Sequence, residues 1–347
     1  MMETGDFPRG KTAFVGHATH GMGEAHGYSS MDLMVISALK ALDCAGLTPG
    51  DVDAVFTGHP NDYLNQMTFI QQLGINPRYM DNNRTGGSAF LVHAFAAAHL
   101  LASGAIDVAL IAYGSNQRTE GGKLIQSIKP SPYVGPFRPM IPLSAYALAA
   151  SRHMHEYGTT AEQQAEVAVA ARKWANLNPD AFMHGQNLSI EDCLAARPIS
   201  TPLRKTDCCL VTDGGAAVVI VRADRARDLA DRPAYLLGAG QCVTHNEIYM
   251  MPDMTVTGAK WPGKRAFAAA GLGPSDVDVV ELYDAFTINT ILFLEDLGFC
   301  AKGEGGAFVS DGQIAPGGAL PVNTDGGGLS CVHPGMYGLF TMVEAIT

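Results

Sequence analysis

Two glycine-rich turns hold the groups best suited to chemistry: Asp81–Phe90, DNNRTGGSAF, and Asn323–Gly338, NTDGGGLSCVHPGMYG. Each leads into an apolar helix, so each aims the unpaired N–H groups of a helix start outward, at the positive end of the dipole. A pair of such ends suits a developing oxyanion. The second turn also carries His333 beside Pro334, and Tyr337 at the helix start. A third motif, ELYDAF, adds Tyr283. Both tyrosines also have plain structural readings, Tyr283 as a half-buried strand residue and Tyr337 as packing at a helix start.

Other chemistries fail on spacing. His17, His20 and His26 match no standard metal site and read as a solvated or substrate-lining loop. The DGGAA run at Asp213 and the glycines Gly326 to Gly328 lack GxGxxG and a P-loop lysine, and read as tight turns. The seven cysteines (Cys44, Cys193, Cys208, Cys209, Cys242, Cys300, Cys331) are odd in number, scattered and without a CxxC pair. Buried free thiols are expected, with no disulfide framework and no zinc site.

The elements that position the turns come from a duplication. AGLTPGDVDAV, Ala45 to Val55, returns as AGLGPSDVDVV, Ala270 to Val280, roughly 225 residues later. That distance is too long for a solenoid period and points to duplicated halves. The first copy predicts a strand from Lys11 to Gly16, a histidine- and glycine-rich loop to Tyr28, a helix capped by Ser29 or Ser30 and running to Cys44, and a strand in VDAVFTG. The second predicts a strand from Ala234 to Gly240, a helix ending at Ala270 and a strand in VDVVELY. Strands alternating with helices imply a mostly parallel sheet in each half, with the glycine turns as pseudo-symmetry mates.

On this division residues 1–232 form the first half and 233–347 the second. An insertion at about 115–196 holds KPSPYVGPFRPMIP, a helix from Ser144 to Tyr157, and a helix opened by Thr160 with Gln163 in capping-box spacing. It reads as a substrate or nucleotide cover. Asp207 to Val221 reads as a glycine turn into a buried strand that closes the first half. By the same duplication about two more strands should follow the helix that begins near Tyr337, so the stop at FTMVEAIT suggests a truncated or incomplete chain.

A hydrophobic content of 47% against 16% charged residues supports a large core, and a net charge of −11 argues against nucleic acid or an anionic membrane as the main partner. Ala89 to Ala112 is apolar enough to suggest a membrane span. His93, His99 and Asp107 oppose that reading, and Ser103-Gly104 divides the run into a helix and a strand. The polar N-terminus shows no secretory pattern, and a cytoplasmic location is expected.

DCCLVTDGGAAVVI, ELYDAF and GGG…HPG before a helix together resemble the thiolase superfamily, in its lipid-transfer-protein or sterol-carrier-protein branch, over essentially the whole chain. The resemblance implies an α/β thiolase fold, with two duplicated βαβαβ-type halves in a five-layered αβαβα architecture. Thiolases place a nucleophilic cysteine at the helix start after the first glycine turn. Aligned on Gly87-Ser88, this chain has Arg84 in that place. Tyr283 stands where the family has an oxyanion-hole asparagine or histidine. The histidine of the family's glycine-histidine-proline turn is kept as His333, with Tyr337 added. The family's last cysteine, on a C-terminal hairpin, would lie beyond Thr347.

A lost nucleophile and two gained tyrosines resemble the thiolase-like aldolases of bacterial steroid side-chain degradation. That resemblance implies retro-aldol cleavage of a β-hydroxyacyl-CoA, such as a 17-hydroxy-22-oyl-CoA, to a 17-ketosteroid and propionyl-CoA. Tyr283 and Tyr337 would transfer the protons, which asks that one phenol be lowered by a cation, a helix start or a hydrogen bond, with Arg84 and His333 as candidates. His333 and the N–H groups of Thr85, Gly86 and Gly87 would hold the oxyanion. Arg84 reads equally as a structural cap or a ligand for a CoA phosphate. CoA enters with the substrate, and neither a separate cofactor nor a metal is implied. The implied partners are the acyl-CoA thioester, a second copy in a homodimer, an OB-fold protein of the DUF35 type and a MaoC-like hydratase. Two other readings stay open: an acetyl-CoA acyltransferase acting on a branched or bulky 3-oxoacyl-CoA, and a non-catalytic thiolase-like subunit of an acyl-CoA-binding complex.

Overall fold

Buried β-branched and alanine-rich runs in the first half pair, together with one short strand from beyond residue 232, into one six-stranded sheet. A computed structural model describes residues 7–58, 64–121 and 131–347. In chain order it runs β1 (Thr12–Gly23), α1 (Ser30–Cys44), β2 (Ala54–Thr57), α2 (Asn65–Leu73), β3 (Tyr79–Asn82), α3 (Ala89–Ala102) and β4 (Val108–Ser115). Next come α4 (Leu143–Tyr157), α5 (Ala161–Ala175), α6 (Ile190–Ala195), a small hairpin of β5 (Pro198–Ser200) with β6 (Leu203–Arg204), β7 (Asp213–Arg222), α7 (Ala223–Leu229) and β8 (Ala234–Tyr235). The remainder is α8 (Lys260–Ala270), α9 (Thr287–Leu297), α10 (Gly305–Phe308), α11 (Gly327–Ser330) and α12 (Gly338–Ile346). Lys129 and Pro130, which begin the proline-rich stretch of the insertion, lie outside the described residues.

The sheet order is β3-β2-β4-β7-β1-β8. β2 pairs in parallel with β3 and β4, whereas β7 runs antiparallel between β4 and β1, and β8 is antiparallel to β1. The sheet is therefore mixed rather than mostly parallel, because the strand that closes it enters its centre against its neighbours. β1 also outruns its expected length. Its pairing with β7 continues to Gly23, so His17 and His20 sit on a strand, not in a loop, and His20 Nδ1 lies 3.1 Å from Lys40 Nζ.

Capping residues set the helix starts that the sequence indicated. Ser29 opens α1 and Thr160 opens α5, each with a reciprocal capping box, to Asp32 and Gln163. Apolar side chains of α1, among them Met34, Ala38 and Leu42, cover one face of the sheet. α3 and α12 cover the other, where Phe90, Leu101, Leu339 and Phe340 meet Phe56, Ile111 and Val218. A separate cluster joins α4, α5 and α9.

The second half departs from its sequence copy. Of Ala234 to Gly240 only Ala234 and Tyr235 form a strand, and VDVVELY joins its neighbour by a single parallel bridge, Val280 to Val322. A longer ladder needs a neighbouring strand to pair with, and among the described residues no strand plays β7's part there. Asn323 supplies a local substitute: its Oδ1 accepts from the Leu282 N–H at 2.8 Å and its Nδ2 donates to the Leu282 carbonyl at 2.9 Å. The second sheet of the five-layered architecture is thus represented here by that bridge and side-chain pairing. Among the described residues no helix is long and apolar enough to cross a membrane.

Asp213 to Gly215, expected as a turn, instead begin β7. The glycines serve close packing, since a Cβ on Gly215 would lie 2.3 Å from the Leu33 carbonyl oxygen of α1. Gly215→Ala should therefore push α1 off the sheet and cost about 1–3 kcal/mol of stability, read as a lower urea midpoint at unchanged slope. An unchanged midpoint would show that α1 is not held so closely.

Candidate active site

The two glycine turns meet through their backbones. The Gly338 N–H, at the start of α12, donates to the Gly87 carbonyl, just before α3, at 3.1 Å. A Cβ on Gly338 would lie 2.3 Å from that same oxygen, so only glycine permits the approach. Tyr283 lies across the contact. A Cβ on Gly87 would fall 1.9 Å from its ring carbon Cε2 and 2.3 Å from its hydroxyl. The Tyr283 hydroxyl donates to the Gly335 carbonyl at 3.2 Å and accepts from the Tyr337 N–H at 3.3 Å.

Around Tyr283 the aromatic rings interlock. His333 stands edge-on to it with centroids 5.7 Å apart, Tyr337 edge-on at 5.8 Å, and Tyr337 stacks between His333 and Phe340. The structure thus brings Tyr283, His333, Tyr337 and Gly87 together. Their exposures differ. Tyr283 is half-buried and faces a cavity of about 750 Å³ lined also by Thr85, Ser88, Gln241, Cys242 and Gly338. His333 and Tyr337 are buried behind it.

Arg84 does not join this group. It is exposed, with no ion pair among the described residues, and the position that faces Tyr283 is Gly87. The residue that the first turn presents to Tyr283 is a glycine, so no side chain from that position enters the space the Tyr283 ring occupies. Thr85 reaches the cavity, but its N–H and hydroxyl both engage Asn83 Oδ1, at 3.3 and 2.9 Å, which removes one of the expected oxyanion donors. Gly86 is exposed in the left-handed region, at φ +82°. The α3 start has no side-chain cap, but the N–H groups of Ala89 and Leu91 already donate to the Gly86 and Ser88 carbonyls, so of its first turn the Phe90 N–H is the one without a partner among the described residues.

Electrostatics reverse one expectation. No cation lowers either phenol, and burial pushes both up, Tyr283 further through Cys209 and Tyr337 further through Asp325. Both are acids held protonated at neutral pH. Burial holds the His333 imidazole at about 4, and among the described residues neither ring nitrogen has a hydrogen-bond partner. A neutral imidazole can donate from one nitrogen and accept at the other.

Three carboxyl groups escaped the sequence reading. The Tyr337 hydroxyl points away from the cavity and donates to Asp325, with oxygens at 3.2 and 3.3 Å. Burial pushes Asp325 up to about 6, against the opposing Gly327 N–H. Asp284, pushed by burial to about 7, accepts from the Gly328 and Leu329 N–H groups at 2.6 and 3.3 Å and so ties the YDAF motif to the second turn. Glu281, pushed by burial and by Asp325 to about 9, accepts from Thr324. Their only sequence signal was adjacency, beside Tyr283 or just before the glycine run.

The cysteines divide. Cys44 and Cys242 are exposed, against the expectation of buried thiols throughout, while Cys193 and Cys331 are buried. Burial raises the Cys208 thiol to about 12 and raises Cys209 and Cys331 as well, so these are not thiolates. Among the described residues no group of His, Cys, Asp and Glu is arranged to hold a metal.

The raised carboxyls fix a pH dependence of stability. Glu281, Asp284 and Asp325 bind protons more tightly folded than unfolded, where 4.5, 3.8 and 3.8 are their ordinary values. Their contribution is complete below those values and is lost as pH rises through about 9, 7 and 6. His333 acts oppositely: its contribution is complete above 6.5 and lost as pH falls through about 4. Of these four groups only Glu281 still titrates well above neutrality. The urea midpoint should therefore fall between about pH 7.5 and 9.5, and Glu281→Gln should flatten that fall. An equal slope in the variant would assign the loss to another group.

Comparison with known proteins agrees with this geometry. A family model described as thiolase C-terminal domain-like matches residues 240–347. The chain is 34% identical to a steroid side-chain-cleaving aldolase of Thermomonospora curvata and to a 17-hydroxy-3-oxo-4-pregnene-20-carboxyl-CoA lyase of Mycobacterium tuberculosis, over 97% and 95% of this chain and 90% of each relative. It is also 34% identical to an acetyl-CoA acetyltransferase of Methanothermobacter thermautotrophicus, over 96% of this chain and 89% of that one. Among solved structures, an Ltp2-ChsH2(DUF35) aldolase superposes with a TM-score of 0.88 at 33% identity, over 96% of this chain and 88% of that chain. The chain has the α/β thiolase fold and belongs to the thiolase superfamily.

Proposed function

We propose that the protein is a carbon–carbon lyase that cleaves a β-hydroxyacyl-CoA by retro-aldol chemistry. The observation that carries this reading is Tyr283 packed on Gly87. Thiolysis needs a thiol at the α3 start to form an acyl-enzyme. Here a phenol fills that space and no side chain exists beneath it. Retro-aldol cleavage needs no covalent intermediate, only a proton acceptor, a proton donor and an oxyanion site.

The groups take roles by their protonation. As the Cα–Cβ bond breaks and the ketone forms, the β-hydroxyl proton passes to the Tyr283 hydroxyl, which hands its own proton to His333, the neutral imidazole edge-on behind it with both ring nitrogens unpaired. The electron pair moves to the thioester as an enolate, whose oxygen the uncapped α3 start accommodates. Tyr283, protonated and facing the cavity, then gives its proton to the enolate carbon and recovers one from His333. Tyr337 holds the Tyr283 hydroxyl through its N–H, and its own hydroxyl keeps a proton against Asp325. Arg84, exposed beside the cavity-lining Thr85, suits the CoA phosphates.

The steroid relatives and the matching aldolase favour a steroid side-chain thioester as substrate, such as a 17-hydroxy-22-oyl-CoA yielding a 17-ketosteroid and propionyl-CoA. The likeness to the Ltp2-ChsH2(DUF35) aldolase favours a DUF35 protein as partner. A homodimer, an associated MaoC-like hydratase and the division into halves at 1–232 and 233–347 belong to the same reading.

One observation favours a second reading. Cys242 is exposed and lines the cavity that Tyr283 faces, so a thiol is present for acyl transfer, as the acetyltransferase relative would require. The assay separates the two. The complex co-expressed with its DUF35 partner should release ketone from a 17-hydroxy-22-oyl-CoA without added free CoA, and Tyr283→Phe should lower that rate by about 10²-fold or more. Cys242→Ala should leave it intact and resistant to iodoacetamide. A demand for free CoA, or loss of turnover with Cys242→Ala, would establish thiolysis instead.

A further inference from the structure

A second pocket, of about 380 Å³, lies between α4, the segment 245–258 and α9. Its walls are mostly apolar, with Ile141, Leu148, Met251, Met254, Leu292 and Phe293 among them and His245 and Glu247 half-buried beside them, and it shares Gly258 and Phe293 with the cavity that Tyr283 faces. One polar group stands out in it. Asn289 is 3% exposed, yet its Oδ1 has no hydrogen-bond partner among the described residues. The same amide bonds the hydroxyl of Tyr146, another lining residue. A buried amide end with no partner costs stability, and water compensates such a group only where it finds other polar contacts.

We infer that this pocket seats the apolar part of the acyl substrate and that Asn289 reads a hydroxyl group carried on it. The assignment of the ligand as the substrate's own acyl portion rests on the lyase reading above; the pocket's preference does not. An amide can present its oxygen or its nitrogen, and a hydroxyl satisfies either because it donates and accepts. A bare hydrocarbon leaves the amide end unpaired, and an anionic group would face the Glu247 carboxylate in the same lining. The ligand class is therefore a bulky alicyclic group carrying one hydroxyl besides the β-hydroxyl that reacts beside Tyr283. The shared wall at Gly258 and Phe293 lets such a group lie here while its thioester enters the cavity beside Tyr283.

Binding of two small probes tests this without turnover. Ligand-observed NMR or calorimetry on the full chain in complex with its DUF35 partner should show 2-decalol binding about tenfold tighter than decalin, the scale of one net hydrogen bond. Asn289→Leu, of similar volume, should bind both probes alike, with decalin held at least as tightly as by the parent protein. Leu148→Trp, at an exposed position on α4, should block both probes while leaving the fold unchanged, which covers the case that Asn289→Leu does not fold. Equal affinities in the parent protein, a preference that survives Asn289→Leu, or unaltered binding in Leu148→Trp would overturn the inference. If the preference follows Asn289 while no hydroxyacyl-CoA is cleaved, the pocket stands and the lyase reading fails. If cleavage proceeds but the preference is absent, the reverse holds.

Discussion

Two backbone segments from opposite halves of the chain approach so closely at Gly87 and Gly338 that neither tolerates a Cβ, and most of the site follows from that contact. It brings the α3 and α12 starts side by side over the sheet, so their dipoles converge on one region. It also leaves a gap above Gly87 the width of an aromatic ring, which Tyr283 fills. A larger residue at either glycine would separate the helices, and the hydrogen bonds from the Tyr283 hydroxyl to Gly335 and Tyr337 would go with them. The ring cluster of Tyr283, His333, Tyr337 and Phe340 is thus a consequence of a backbone contact.

Charge is managed by burial more than by pairing. The half-site around Tyr337 contains Asp325, Asp284 and Glu281 with no cation bonded to them among the described residues, and the favourable partners are backbone N–H groups of the second turn with the Thr324 and Tyr337 hydroxyls. Like-charged groups in a low-dielectric region cannot all ionise, so their proton affinities rise together. Each raised carboxyl in turn opposes ionisation of Tyr337. In the proposed lyase reaction the tyrosines therefore serve as donors, and the acceptor is the one titratable ring nearby that burial holds neutral, His333. A site of this composition favours chemistry in which negative charge is created transiently on the substrate and quenched by a proton.

Local signals in the sequence carried over well where local physics decides. Ser29 with Asp32 and Thr160 with Gln163 are reciprocal caps whose partners lie three residues away, and both helix starts appear as read. The ELYDAF and HPGMYG motifs converge as the resemblance implied. What was not legible depended on approach between distant segments. Arg84 was placed at the nucleophile position by counting along a turn, whereas the residue facing Tyr283 is set by a contact with Gly338, 251 positions away. The direction of the tyrosine shifts was also hidden, because burial and the surrounding carboxyls, not a neighbouring cation, determine it. Asn289 gave no motif at all: an asparagine inside an apolar helix is ordinary until its amide end is seen buried without a partner. The glycines of β7 misled for a related reason, since a close helix approach and a tight turn ask for the same residue.

The choice between two reactions on one scaffold then reduces to what occupies a small volume at a helix start. A cysteine there would use the α3 dipole to stabilise its own thiolate, and the oxyanion would need other donors. With Gly87 before that start, the proposed reaction assigns the dipole to the substrate's oxygen, and the open space admits a phenol on a rigid neighbouring segment. That phenol cannot attack a thioester at neutral pH, because burial keeps it protonated. It can deliver a proton to a carbanion equivalent formed beside it. In the proposed reaction, the absence of a side chain at Gly87 and the presence of the acid are therefore one feature of packing: the small residue at Gly87 makes room for Tyr283, and Tyr283 excludes any larger residue from Gly87.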